Sequence, residues 1–235
     1  MFNIGRDYIQ RLRKNKNQLY KDLKPKDRIC KIVTDHILPN LGINGFKFIK
    51  SRMQLERTLG DFKQVIWFRT SIKNYRDEVV NFEIHLKVEN EDYQKHCINK
   101  YNYPKPSFIS EHVEYLKQWN QEYCEGWYRL QLDDNIKIAE RITENITSCV
   151  NTYLDVNSSF DKSLEYRLNE FNNLDYFGLL IIPDLLILSE LTNNKKVQKT
   201  ILEAYENWKQ TDEGIKDVNE GADIFDTIDN IKKLL

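Results

Sequence analysis

The feature that most constrains the fold is strict period-two alternation across residues 52–88. Met53, Leu55, Arg57 and Leu59 alternate with Arg52, Gln54, Glu56 and Thr58. Phe62, Gln64, Ile66, Phe68, Thr70 and Ile72 alternate with Lys63, Val65, Trp67, Arg69, Ser71 and Lys73. Val80, Phe82, Ile84, Leu86 and Val88 then alternate with Val79, Asn81, Glu83, His85 and Lys87. Successive strand side chains point to opposite faces, so each run predicts a strand with one buried and one polar side. Gly60-Asp61 is a two-residue hairpin turn between the first two runs, and residues 74–77 supply the next turn. A chain built this way makes an antiparallel sheet.

The flanks read as helix. Apolar residues at helical spacing occupy 4–23, and a second helix from about Asp27 carries Ile29, Cys30, Val33, Ile37 and Leu41 until Pro39 and Gly42 end it. Phe46 to Lys50 predicts a short first strand, Glu91 to Tyr101 a helix, Glu111 to Trp119 another helix, and Trp127 to Leu132 a last strand. Asp133-Asp134 opens a long helix with the stripe Ile138, Ile142, Ile146, Cys149, Val150 and Tyr153. Helices at about 159–172, 184–191 and 195–209 follow, then an acidic tail. The fold class expected is α+β: an antiparallel sheet of about four to five strands, helices packed on one face and a C-terminal helical extension. The division expected is a core over 1–155 and a helical extension packed on it over 156–235.

The order of elements is also familiar. A helix ends in LPNLGINGFKFIK, then come MQLERTL, a Gly-Asp turn, FKQVIWFRTSIK, FEIHLKV, a late WYRL strand, a helix ending TYLD and an IPDLLILSEL…NNKKVQKTILEAYENW hairpin. This resembles the bacterial domain-of-unknown-function family 4304 over about residues 27–208. The resemblance implies an α+β fold and assigns no chemistry. The basic N-terminal helix and the acidic tail depart from the family pattern.

Charge excludes some partners and suggests others. The net charge is −1, so no global field draws the chain to nucleic acid or to an anionic membrane. The ends are polarised: residues 1–31 hold ten cations against three anions, and residues 203–235 hold nine anions against four cations. The tail residues Ile224, Phe225, Ile228, Ile231 and Leu235 form an apolar stripe that wants a partner, either near the N-terminal helices or, in a homodimer, on another copy of the chain. The apolar stretch Tyr176 to Leu191 is too short for a bilayer and reads as a buried helical segment. Cysteines at 30, 97, 124 and 149 form no C-x-x-C pair, and MFNIGRDYIQRLRKNKN has no apolar signal-peptide core. A cytoplasmic protein with free thiols and no membrane association is expected.

The polar side of the sheet is the candidate binding surface. The Gly60-Asp61 turn sets Gln54 opposite Trp67 and Arg52 opposite Arg69, and pairing Phe68 with Ile84 would set Arg69 opposite Glu83 and Trp67 opposite His85. Arg52, Gln54, Trp67, Arg69, Glu83, His85 and Lys87 then share one face, which an ordinary solvated or helix-covered sheet would also explain. Glu83-x-His85-x-Lys87 resembles the acid and lysine placement of metal-dependent nucleases, but a second acid, Asp61 or Glu56, would be needed. His96, Cys97, His112 and Cys124 are zinc-type residues without ligand spacing, so no metal or cofactor is expected. The 184–209 hairpin reads as structural, with Lys195, Lys196 and Lys199 its only DNA-facing material. No G-x-S-x-G, phosphate loop, H-E-x-x-H or dinucleotide fingerprint occurs, and no catalytic residue is assigned. The expectation is a non-enzymatic module that binds another protein, in the manner of an immunity protein or antitoxin. The alternative is a nucleic-acid-associated protein using the N-terminal cations, and more remotely a nuclease.

Overall fold

The computed structural model describes residues 18–41, 45–74, 80–105, 107–113, 116, 127–130, 134–171, 176–219 and 223–235. In chain order the elements are α1 (Pro25–Ile32), β1 (Lys47–Ile49), β2 (Gln54–Leu59), β3 (Phe62–Thr70), β4 (Asn81–Glu89), α2 (Glu91–Tyr101), β5 (Ile109–His112) and β6 (Tyr128–Arg129). Then follow α3 (Asn135–Asn145), α4 (Asn151–Val156), α5 (Phe160–Glu170), α6 (Tyr176–Leu191), α7 (Lys195–Trp208), α8 (Asp212–Asn219) and α9 (Asp223–Leu234). This is an α+β fold with a C-terminal helical region. The chain divides into two compact units, Met1–Val88 with Ile109–Leu154, and Glu89–Phe108 with Asp155–Leu235. The segment 89–108 belongs to the second unit.

The first unit holds the sheet, ordered β1-β2-β3-β4-β5, with β6 also pairing β4. The Gly60 turn needs a positive φ, here +56°, and it sets Leu59 opposite Phe62 and Gln54 opposite Trp67, the register the alternation predicts. The buried side collects Leu55, Ile66, Phe68, Phe82, Ile84, Leu86 and Val88, all at 0% exposure. Gln64 is sunk on that side too; it accepts from Arg57 Nε at 2.6 Å and donates to the Leu154 carbonyl of α4 at 2.6 Å, which ties β3 to the helix below it. A buried amide kept in this way has both of its polar ends satisfied.

Four expectations are corrected. Residues 18–23 form a turn, with Tyr20 at φ 52° and Leu23 N–H donating to the Tyr20 carbonyl, while the rest of the helix expected over 4–23 lies outside the described residues. β2 begins at Gln54, because Met53 takes φ 55° and closes a tight turn onto Lys50. Residues 109–112, partly expected as helix, are a strand with Ile109 buried against Val88. The long helix after Asp134 contains a π-helical turn over Ile146–Val150; the extra residue shifts the apolar face, so that Leu154 at 0% exposure takes the place predicted for Tyr153.

The second unit is helical. α6 runs through Pro183 as one helix, with Leu179, Ile182, Leu185, Leu186, Ile187 and Leu188 all at 0% exposure. Two acids on it hold the 89–108 segment. Asp184 accepts from Tyr93 Oη at 2.9 Å and pairs with Lys105 and, at 3.1 Å, Arg167. Glu190 takes His96 at 3.0 Å, Lys100 and Tyr101. These contacts explain why α2 belongs to this unit. The tail helix α9 buries Phe225, Ile228 and Ile231, stacks Phe225 on Trp208 with ring centroids 5.9 Å apart, and pairs Asp229 with Lys209 and Lys232 with Glu206. The tail is thus docked by its apolar stripe, and these ion pairs are made with α7 and the residue after it; the cations of residues 1–17 lie outside the described residues.

Candidate functional site on the polar sheet face

Strands β3, β4 and β5 bring together most of the residues that the alternation placed on the polar face. Arg69 Nη1 lies 3.1 Å from Glu83 Oε1, and the Trp67 and His85 rings lie 5.9 Å apart, the two cross-strand neighbours expected of them. Lys87 Nζ sits 6.0 Å from the Trp67 ring centre. Gln54 faces Trp67 from β2. Arg52 does not join this row. It lies in the turn before β2, and its guanidinium reaches Glu56 at 2.9 Å.

Strand β5 adds His112 to this face. His112 stands opposite His85, and its Nε2 is 3.1 Å from Glu83 Oε2. His85 Nε2 is 3.0 Å from Glu83 Oε1. Glu83 is only 6% exposed, yet among its neighbours are one guanidinium and two imidazoles. Burial works to raise its carboxyl, but the imidazoles of His112 and His85 prevail and hold it below the ordinary value. Burial likewise holds His85 below the usual histidine range, against the raising influence of Glu83. The signal for His112 was the alternation of Ile109, Glu111 and Val113 with Ser110 and His112. It was short, and the aromatic spacing that follows it masked it.

The charges on this face are sorted by depth. The carboxylates are sunk, with side chains 8% exposed at Glu83 and 14% at Glu56, while Arg69 and Arg52 are 53% and 52% exposed. Beside Arg69, a cleft of about 380 Å³ is lined by Lys73, Asn81, Trp127 and Arg129, with the exposed Ile72 at its rim. No acid lines it.

The remaining candidates serve structure. Arg28, counted among the N-terminal cations, is fully buried and donates to the Leu19 carbonyl at 2.8 Å and to Asn135 Oδ1 at 2.9 Å. His96 bonds Glu190. Cys30, Cys97 and Cys149 are buried free thiols, and burial pushes Cys97 up to about 11, where it is unreactive. Cys124 lies outside the described residues, and no described helix is long and apolar enough to cross a membrane. No protein-family model matches the chain, and no curated protein or solved structure matches it.

Proposed function

We propose that this chain is a non-enzymatic binding module whose polar sheet face receives an acidic protein partner. The supporting observation is the sorting of charge by depth. Glu83 acts as a buried strut whose cationic partner Arg69 projects outward; at the turn before β2, the half-buried Glu56 likewise holds the exposed Arg52. A partner therefore meets positive charge around the half-buried Trp67, and Trp and Arg are the residues that most often dominate interface energy. The carboxylates beneath pre-order the arginines, so less side-chain freedom is lost on binding.

The acid-free cleft beside Trp127 favours a second reading, in which phosphates of a nucleic acid occupy the same cations. The net charge of −1 and the burial of Arg28 weigh against it.

One experiment separates the two. The purified chain and its Trp67→Ala and Arg69→Glu variants serve as bait in a lysate of the native host. A stoichiometric acidic protein retained by the wild type and lost by both folded variants supports the proposal. Equal recovery by all three overturns it. Recovery of nucleic acid, with log affinity falling steeply with log salt, replaces it with the second reading.

A further inference from the structure

Within the polar face, Glu83, His85 and His112 form a tighter constellation than protein recognition requires. One donor atom from each, a carboxylate oxygen and two imidazole nitrogens, lies within 4.8 Å of the others. His85 Nε2 stands 3.0 Å from Glu83 Oε1 and His112 Nε2 stands 3.1 Å from Glu83 Oε2, one imidazole against each carboxylate oxygen. In a tetrahedral site with metal–nitrogen and metal–oxygen bonds near 2.1 Å, ligand atoms stand about 3.4 Å apart. The three side chains are thus within a small rotamer adjustment of a coordination shell.

We propose that Glu83, His85 and His112 bind a divalent transition metal of the zinc class, leaving a coordination position open to water or to a donor from a bound partner. Three further observations support this. His85 Nε2 is shielded from solvent and makes no hydrogen bond of good geometry, although Glu83 Oε1 is 3.0 Å away. A shielded imidazole nitrogen beside a carboxylate is available to a metal ion. The ligands also sit on hydrogen-bonded strands, with His85 and His112 in register across β4 and the end strand β5, so the backbone fixes their spacing. Arg69 holds Glu83 Oε1 from the exposed side and orients the carboxylate, the role that outer hydrogen bonds play around metal ligands.

The donor set selects the metal. Two imidazoles and one carboxylate suit zinc, cobalt, nickel or ferrous iron, and disfavour magnesium and calcium, which prefer all-oxygen shells. Three protein ligands with a free position mark an open site and not a closed structural one. This site stands apart from the acidic-partner reading, since the metal can bind whether or not a protein docks.

The test uses the full chain, freed of any purification tag and of metal by a chelator. Cobalt is titrated in, followed by its visible absorption, and zinc is then used to displace it. The expected result is a single cobalt per chain with a spectrum of low coordination number, displaced by zinc and untouched by excess magnesium. His85→Ala and His112→Ala should each weaken binding by more than about 100-fold, since even the loss of an outer partner costs 10–100-fold. His96→Ala, whose imidazole bonds Glu190, should bind as the wild type does. Circular dichroism confirms that each variant is folded; should His85→Ala or His112→Ala unfold, His85→Gln and His112→Gln take their places. Failure of the folded wild type to bind cobalt stoichiometrically, unchanged affinity in both folded histidine variants, or equal competition by magnesium overturns the assignment.

Discussion

His112 stands directly across the β4–β5 ladder from His85, and the two rings meet edge to face with centroids 4.4 Å apart. Glu83 lies under both, with one carboxylate oxygen close to each Nε2. The carboxylate therefore organises the polar face, and its removal should cost more than the loss of any exposed partner. In metal-free buffer, Glu83→Ala should lower unfolding free energy by about 1–3 kcal/mol, because Arg69 and the His112 imidazole lose the carboxylate that they pair with. Arg69→Ala, at a half-exposed position, should cost less than about 1 kcal/mol. Urea unfolding of the two variants measures the contrast, and equal losses would show that Glu83 does not carry the network.

A different carboxylate anchors the helical unit. Asp184 is buried beside Lys105, Arg167 and the Tyr93 hydroxyl. Breaking such a cluster from one side leaves uncompensated buried charge, which costs about 3–5 kcal/mol. Asp184→Ala should show a loss of that size in urea unfolding. Tyr93→Phe, which removes a single hydrogen bond, should lose only about 1 kcal/mol.

Glu190 makes stability depend on acid. Burial works to raise its carboxyl, but the hydrogen bonds from Lys100, Tyr101 and His96 outweigh it and hold the group at about 2, against an ordinary 4.5. The folded value lies below the unfolded one. The contribution is therefore fully present above about pH 4.5 and is lost as pH falls toward about 2, an effect on the order of 1–3 kcal/mol. Unfolding free energies measured at several pH values between 5.5 and 2.5 should fall more steeply for the wild type than for Glu190→Gln. Parallel curves would remove Glu190 from the acid response.

The tail should stabilise mainly through its apolar stripe. Ile228 is fully buried and Phe225 stacks on Trp208, while Lys232 and Glu206 are both about 40% exposed. Ile228→Ala should cost about 2–4 kcal/mol, and the loss should persist at high salt because apolar burial is not screened. Lys232→Ala should cost less than about 1 kcal/mol and less still in salt. Melting curves at low and high ionic strength distinguish the two contributions.

Much of this architecture is legible in the sequence where local rules govern. The Gly60-Asp61 turn and the alternation around it are enough to set Gln54 opposite Trp67, and a pairing of Phe68 with Ile84 across the next turn brings Arg69 to Glu83. The sequence hid what depends on distant pairing or on a break in periodicity. His112 meets His85 only because a four-residue strand, 20 or more positions along the chain, pairs with β4. Asp184 looks like an interruption in an apolar run, and only the fold shows Lys105 and Arg167 closing around it. Tyr153 loses its predicted place to Leu154 because a π-helical turn adds one residue to the helix and rotates the face. Arg52 leaves the row because Met53 turns the chain before the strand begins.

A partner bound as proposed, on the polar side of β3, β4 and β5, would shield those strands from solvent. Hydrogen–deuterium exchange of the chain, alone and in complex with the acidic protein recovered by the bait experiment, tests it most directly. Slowed exchange on binding is expected in peptides covering 65–70, 83–88 and 109–112, with α6 to α9 unchanged. Protection confined to the helices of the second unit, with those strands exchanging as in the free chain, would contradict it.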